Sequence, residues 1–363
     1  MSRIFLNPFA TGGDPASSVY DPDNAASLRA LFAHAPGFQP TPLLRLDKIA
    51  RKLGIGELWA KDERNRWGQG SFKSLGGAYA VVALAAETLK VGPAAIFSGH
   101  APRAAHLTYA AATAGNHGRA VAFGAKLAGA RAVIFVYGDV PQAQIAAISA
   151  LDAELVTILG SYEDACRAAE ETAARNGWTV VSDMAHEGYT AIPQKIMQGY
   201  SVLAAEALEQ MPQPPTHVFV QAGVGGLAAP TAAYFSRTVT PKPTIVVVEA
   251  ATVTCLMESA RRNQLTRTEP SGATNLNRLD CPTPSSTTWP VLRALAEGFV
   301  GVDNSIADEA VALLQEEGIA TTPTGASGVA GLLTLRQEPA FAALGLARDS
   351  RVMVVLSEQA IAT

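Results

Sequence analysis

The stretch KDERNRWGQGSFKSLGGAYA, residues 61 to 80, holds the features that decide the fold. Ser71, Phe72 and Lys73 follow a glycine-rich approach and precede an apolar run typical of a helix. A lysine at such a helix start loses its proton more readily than a solvated one, because desolvation and the helix dipole disfavour its charged form. A neutral lysine amine can form a Schiff base, so Lys73 could hold pyridoxal phosphate (PLP). A surface lysine at a helix start accounts for this triplet equally well.

Two further turns fit the same cofactor. The turn TAGNHG at residues 113 to 118 opens an apolar helix, and the backbone N–H groups at a helix start are a good seat for a carboxylate. Its Asn116 offers an amide that can bond a phenolic oxygen. The loop QAGVGGL at 221 to 227 lies between a strand-like run and an alanine-rich helix. Its three glycines allow backbone N–H groups to converge on a phosphate.

Taken together, these sequence motifs resemble those of the fold-type II PLP enzymes, and most closely those of the diaminopropionate ammonia-lyase branch of that family. The shared words are KDE (61–63), FKSLGGAY (72–79), GNHGR (115–119), EGYT (187–190), IMQGY (196–200) and QAGVGG (221–226). The resemblance runs from about Thr41 to Glu358 and also takes in threonine and serine dehydratases.

The resemblance implies an α/β fold with two lobes of twisted, mostly parallel sheet flanked by helices, as in the tryptophan synthase β chain. Residues 86–204 would form a small lobe, and residues 1–85 with 205–363 a large lobe that binds the PLP phosphate. The sequence pattern agrees, since strand-like and helix-like runs alternate almost throughout. The predicted strands are 94–97, 132–136, 155–159, 217–220, 244–248 and 352–356. The predicted helices are 117–128, 142–151, 162–176, 191–210, 226–236 and 305–317.

The resemblance also assigns roles to single residues. Lys73 would hold the cofactor and take the Cα proton of the substrate, with Asp183 as the second catalytic residue. The remaining cofactor-binding positions would be Phe72, Asn116, Gly223, Val224, Gly225, Gly226, Leu227 and Ser357. The substrate-binding positions would be Ser71, Thr113, Ala114, Gly115 and His117. The Ser357 hydroxyl would meet the pyridine nitrogen, and His117 is read as structural in preference to a general acid. No metal is expected.

Three positions depart from the family pattern around this pocket. Ala114 stands where these ammonia-lyases typically have aspartate, His186 where an aromatic residue is usual, and Gln359 where glycine is usual. Loss of a carboxylate that acts as a general acid or base lowers the reaction rate by ~10²–10⁴-fold. These departures indicate that the enzyme catalyses the same type of reaction as the family but acts on a substrate with a different side group.

The expected reaction is therefore PLP-dependent β-elimination from an α-amino acid, giving a 2-oxo acid and ammonia. A 3-hydroxy amino acid (serine, threonine or an aryl-serine) is the first expectation, because a hydroxyl needs no carboxylate partner at position 114. Retained 2,3-diaminopropionate chemistry through Asp183 is the alternative. A non-catalytic protein with the PLP fold is a further alternative, which the intact set of Lys73, Asn116, glycine loop and Ser357 disfavours.

The composition of the chain limits the partners and the location that we expect for the protein. The chain has 363 residues, with 28 Lys and Arg against 32 Asp and Glu, so its net charge is −4. Without a basic run, a nucleic-acid partner is not expected. Neither a signal peptide nor an apolar stretch of the ~18 residues that a membrane span needs is evident. The sequence predicts a cytoplasmic enzyme for a small amino acid, expected as a homodimer. Whether Cys255 and Cys281 approach one another stays open, and the polar segment 262–288 is expected to form a loop over the active site.

Overall fold

The computed structural model describes residues 3–13, 22–113, 115–138, 140–336 and 338–360, which fold around two sheets. The strands are β1 Ile4–Leu6, β2 Leu43–Arg45, β3 Glu57–Asp62, β4 Thr108–Ala112, β5 Arg131–Tyr137, β6 Glu154–Ile158, β7 Thr179–Val180, β8 His217–Gln221, β9 Thr244–Ala250, β10 Ala296–Val302 and β11 Arg351–Leu356. The helices are α1 Pro22–Phe32, α2 Asp47–Leu53, α3 Lys73–Leu89, α4 Pro93–Phe97, α5 Asn116–Ala128, α6 Gln142–Ser149, α7 Tyr162–Asn176, α8 Ala191–Gln210, α9 Ala228–Thr238, α10 Cys255–Arg262, α11 Trp289–Leu295, α12 Asn304–Glu316, α13 Ser327–Leu335 and α14 Pro339–Ala343.

The larger sheet has seven strands in the order β1-β10-β9-β8-β11-β3-β2. Its five central strands are parallel, and the short outer strands β1 and β2 pair antiparallel to their neighbours. Every residue of β8 is buried, as expected for a parallel strand covered on both faces. Because β8 and β11 are parallel neighbours, their carboxyl ends lie side by side, where ligands bind in open α/β sheets.

The smaller sheet has four parallel strands in the order β6-β5-β4-β7. All four lie between residues 108 and 180, whereas the strands of the larger sheet come from both ends of the chain. The α/β fold with two mostly parallel sheets is thus confirmed. The exact lobe bounds of 86–204, and of 1–85 with 205–363, stay a prediction.

Helix α3, which begins at Lys73, is held tightly by its neighbours. A Cβ at Gly77 would lie 2.7 Å from the Cβ of Ala120 in α5, and one at Gly124 would lie 2.7 Å from the Cα of Ala78. Such close helix contact is possible only where side chains are missing. The start of α3 is therefore fixed by packing along its length.

One predicted strand is wrong, and six of the described strands were not predicted: β1, β2, β3, β4, β7 and β10. Residues 94–97 lie in helix α4, not in a strand: Pro93 occupies the first turn, and an apolar run this short does not distinguish the two structures. Strand β4, TYAAA, was missed because alanine has a low strand propensity. Strand β10, AEGFVGV, was missed because two glycines interrupt its apolar pattern. Among the described helices, none combines the length and the hydropathy that crossing a membrane would require.

Candidate active site

Lys73 lies at the start of α3 with one quarter of its side chain exposed. Its Nζ is 5.4 Å from the ring centre of Phe72 and 5.8 Å from that of Tyr200, and these two rings meet edge to face. The amine also contacts the carboxylate of Asp183, which is 110 positions away in the sequence. The structure thus brings together the two residues that were assigned catalytic roles.

The charge state of this pair differs from the first expectation. Burial lowers the pKa of Lys73, as anticipated, but the Asp183 carboxylate opposes burial and holds the pKa above its usual range. Burial raises the pKa of Asp183, while His117 and Lys73 lower it, and the net pKa lies below its usual range. The direction of the pKa shift is thus opposite to the expectation of a readily deprotonated lysine, because Asp183, Tyr200 and Cys281 together outweigh desolvation.

The segment that carries Asp183 is fixed from both sides. Tyr189 accepts a hydrogen bond from the Ser182 N–H at 2.9 Å and donates one to the Val180 carbonyl, also at 2.9 Å. The ring of His186 stacks on Tyr189 with a centroid separation of 5.3 Å. His186 thus packs on the tyrosine that anchors the segment carrying Asp183. Asp183 is held in place by a rigid turn.

His117 adds a third charged or polar group beside this pair. Its Nε2 donates to the Val181 carbonyl at 2.8 Å, and its Nδ1 lies 3.8 Å from Asp183 Oδ2. The ring is buried and bridges the start of α5 to the segment that carries Asp183. This geometry suits a residue that positions Asp183.

The glycine loop after β8 has the form of an anion cradle. Within the described part of the chain, none of the backbone N–H groups from Gly223 to Leu227 donates to a protein acceptor. Gly225 has φ +95°, which favours glycine. The Val224 carbonyl is held away from the loop by the Thr288 hydroxyl at 2.7 Å and by the Ser285 N–H at 3.1 Å. Converging, uncommitted N–H groups fit the phosphate of PLP.

The positions predicted to face the PLP ring, Ser357 and Asn116, have contacts with neighbours of Lys73 and with Glu358. Ser357 directly follows β11 and is buried, and its carbonyl accepts a hydrogen bond from the Phe72 N–H at 3.2 Å. Ser71 is also buried and pairs with Glu358 as an isolated bridge. Asn116 donates its amide to the Glu358 carboxylate. The roles of Ser357 at the pyridine nitrogen and of Asn116 at the phenolic oxygen stay predictions.

In the turn that is predicted to bind the substrate carboxylate, one backbone N–H group is already hydrogen-bonded. The Gly115 N–H donates to the Thr113 hydroxyl at 3.0 Å, so this donor is committed within the turn. Ala114 lies outside the described residues. Binding of the substrate carboxylate at residues 113–117 stays a prediction.

Four polar residues that sequence reasoning left without a role form a wall beside Asn116. These residues, here called the outer wall, are Arg119, Arg278, Glu358 and Gln359. They line a cavity of about 200 Å³ together with Gly70, Gly115, Asn116 and part of α6. Arg119 was visible in the GNHGR word, and the segment 262–288 contributes Arg278, which places that segment at the site as anticipated.

Both cysteines left open by the sequence lie at the glycine loop. Cys255 Sγ is 3.6 Å from the Gly223 carbonyl, and Cys281 Sγ would lie 2.9 Å from a Cβ at Gly223. Both are free thiols. Burial raises the pKa of Cys281 to about 12, and the nearby Asp183 carboxylate raises it too. No group of three or more His, Cys, Asp or Glu side chains in the described ranges could hold a metal ion.

The sequence and the structure of this chain are both similar to those of known proteins. Residues 34–358 match the family described as pyridoxal-phosphate dependent enzyme. The diaminopropionate ammonia-lyase of Escherichia coli K12 is 33% identical over 367 residues, which cover 97% of this chain and 92% of that protein. The crystal structure of holo diaminopropionate ammonia lyase from E. coli superposes with a TM-score of 0.90 at 32% identity, covering 98% of this chain and 93% of that one. Threonine deaminase isoform 2 from Solanum lycopersicum, at 20% identity and a TM-score of 0.78, covers 98% of this chain and 93% of its own and shares the fold.

Proposed function

This chain belongs to the pyridoxal-phosphate-dependent enzyme family, and we propose that it eliminates the β-substituent of an α-amino acid to give a 2-oxo acid and ammonia. It is a PLP-dependent enzyme of the ammonia-lyase and dehydratase type. The observation that carries the proposed role is the contact of Lys73 Nζ with Asp183, at the start of a packed helix.

PLP, when bound, supplies a conjugated electron sink that stabilises negative charge at the substrate Cα. The phosphate would rest on the N–H groups from Gly223 to Leu227, and Lys73 would hold the cofactor. Ser357 and Asn116 would face the ring. The chain's own residues then have to move one proton from Cα to the departing β-group.

Lys73 and Asp183 suit that proton transfer. Once the substrate amine has displaced it, Lys73 would be a free amine that can take the Cα proton, and the ammonium that it then becomes is stabilised by the adjacent Asp183 carboxylate. The same ammonium can then protonate the departing β-amine or β-hydroxyl. The His117 Nδ1 lies 3.8 Å from the same Asp183 oxygen that Lys73 contacts, so a charge on His117 would act on the same carboxylate. Proton transfer of this kind contributes ~10²–10⁴-fold in rate.

The first candidate substrate is 2,3-diaminopropionate. The relatives that match over nearly the whole chain are diaminopropionate ammonia-lyases, so the comparisons support this alternative better than the 3-hydroxy amino acid that we expected first. Asp183, which contacts Lys73, would be the carboxylate available to a β-ammonium group.

A 3-hydroxy amino acid is the second candidate, because of position 114. Alanine there cannot pair with a β-ammonium, whereas a hydroxyl carries no charge that needs a partner. A relative named for a 3-hydroxy amino acid substrate supports this candidate. The L-threonine dehydratase of Haemophilus influenzae is 28% identical to this chain over 303 residues.

One assay tests the proposed function and ranks the candidates. The purified holoenzyme is incubated separately with 2,3-diaminopropionate, serine, threonine and 3-phenylserine, in both enantiomers, and 2-oxo acid and ammonia are measured. We expect equimolar ammonia and 2-oxo acid from a hydroxy substrate, and two ammonia per 2-oxo acid from diaminopropionate. Release from none of them would contradict the function. Light scattering of the same preparation tests the proposed homodimer, for which a monomer would be the contrary result.

A further inference from the structure

The outer wall carries more positive than negative charge towards its cavity. Of the described residues that line the cavity, Arg119, Arg278 and Glu358 are the charged ones. The Glu358 carboxylate is already bonded: Asn116 donates to Oε2, the Thr322 hydroxyl donates to Oε1 at 2.6 Å, and Arg278 Nε lies 3.7 Å from Oε2. One engaged carboxylate therefore faces two guanidinium groups.

Arg119 is a half-buried cation without an acidic partner. In the described ranges no Asp or Glu oxygen lies within 4.0 Å of its nitrogens, and its hydrogen bonds, to Gln69 Oε1 and the Gly68 carbonyl, are both 3.5 Å long. Burial lowers the pKa of Arg119, since no carboxylate offsets the desolvation. A guanidinium that is removed from water in this way gains from an anion.

The donors of the wall converge from two sides. A Cβ at Gly70 would lie 2.8 Å from Arg119 Nη2 and 2.8 Å from Gln359 Nε2. A Cβ at Gly115 would lie 3.1 Å from Arg278 Nη1. The two glycines therefore let both guanidinium groups reach the cavity beside the predicted substrate turn. The cavity, at about 200 Å³, exceeds the ~30 Å³ share of one water several-fold, so it has room for a carboxylate.

We propose that this cavity is a subsite for an anionic group on the side chain of the amino-acid substrate, bound by Arg119 and Arg278 with help from Gln359. The inference rests on the proposed β-elimination and extends it to a substrate class: a β-substituted amino acid with a second carboxylate, such as 3-hydroxyaspartate. A β-ammonium would meet a wall of its own sign. The inference thereby favours the second substrate candidate.

Binding of amino acids that lack a β-leaving group tests the subsite without turnover. Aspartate and asparagine have nearly the same shape, but only aspartate carries the extra anion. Calorimetry of the holoenzyme should show aspartate binding about tenfold or more tightly than asparagine, as charge-assisted hydrogen bonds require. Arg119→Gln and Arg278→Gln should each remove most of this preference, and Arg119→Lys should keep part of it. Arg175→Gln, on the exposed end of α7, is the control and should keep all of it.

Kinetics then distinguishes a subsite for the side chain from a site for the α-carboxylate. For the wild type, 3-hydroxyaspartate should exceed serine in kcat/KM, and Arg119→Gln should lower that ratio about tenfold or more. Equal losses on both substrates would mean that the arginines bind the α-carboxylate common to all substrates, which overturns the proposal. An unchanged ratio, or equal binding of aspartate and asparagine, also overturns it. Turnover of no amino acid, with the aspartate preference intact, would instead refute the β-elimination and leave an anion subsite.

Discussion

The centre around Lys73 and the outer wall differ in how their charges are balanced. In the centre, which consists of Lys73, Asp183 and His117, a cation and a carboxylate meet one to one. In the outer wall, two guanidinium groups face a single carboxylate that Asn116 and Thr322 already bond. The centre is complete by itself, whereas the wall gains from a ligand that brings negative charge.

This difference has a chemical meaning. Proton transfer at Cα is the same for every substrate of a β-eliminating enzyme, so a self-contained pair can serve many substrates. Recognition of the side group has to change when the substrate changes. Gln359, one of the departures from the family pattern, lies in this outer region. We infer that the centre keeps the reaction and the wall sets the substrate.

Removal of the central amine should have the largest effect. Lys73→Ala should abolish 2-oxo acid release, because it removes the amine that takes the Cα proton in the proposed reaction. Lys90→Ala, at the far end of the same helix, is the matched control and should retain wild-type activity. Substantial turnover by the Lys73→Ala holoenzyme would break the proposed division between centre and wall.

Removal of the central carboxylate should come next. Asp183→Asn should lower kcat by ~10²–10⁴-fold on every substrate, since the ammonium that forms at Lys73 loses its partner. Without the carboxylate, burial of Lys73 is opposed only by Tyr200 and Cys281, so the pKa of Lys73 should fall. Asp152→Asn, which removes an exposed partner of Lys126, should change nothing. A loss confined to one substrate would assign Asp183 to recognition instead.

A side chain at Gly225 should affect the cofactor more than the reaction. A Cβ there would lie 2.6 Å from the Thr288 hydroxyl, and φ is +95°, so valine forces the loop to shift. We expect PLP to bind at least ~10-fold more weakly, from the ~1–3 kcal/mol that such strain costs. Gly272→Ala, where an added Cβ meets nothing within 4 Å, is the control for fluorescence titration of PLP. Unchanged PLP affinity in Gly225→Val would place the phosphate elsewhere.

The smallest predicted effect concerns position 114 of the predicted substrate turn. Ala114→Asp should shift the ratio of kcat/KM towards 2,3-diaminopropionate over serine by ~10-fold, because an ion pair with the β-ammonium contributes about 1.4 kcal/mol or more. Both substrates are assayed on both proteins through 2-oxo acid release. A wild type that already prefers diaminopropionate by a wide margin would show that the wall does not repel a β-ammonium.

Short local motifs were enough to predict much of the site, whereas its long-range contacts were not predictable. Lys73, the turn at 113–118 and the glycine loop could be predicted because each is a short word whose glycines and helix start act within a few residues. The charge state of Lys73 could not be predicted, because the carboxylate that opposes the effect of burial belongs to Asp183, which lies 110 positions away in the sequence. The outer wall was missed for the same reason: Asn116 and Glu358 are 242 positions apart, and nothing local marks their contact.

The fold shows the same limit. Strands rich in valine, such as β9 and β11, were predicted, while the alanine-rich β4 was not. Strand β4 lies between β5 and β7, so its conformation is set by its partners in the sheet more than by its own side chains.

The most direct test of the centre is chemical trapping of the cofactor on its lysine. The holoenzyme is reduced with borohydride, digested, and mapped by mass spectrometry, with Asp183→Asn as a parallel sample. The pyridoxyl group should appear on the peptide that contains Lys73 and on no other lysine. Label on a different lysine, or a reduced holoenzyme without labelled Lys73, would contradict the assignment of this centre.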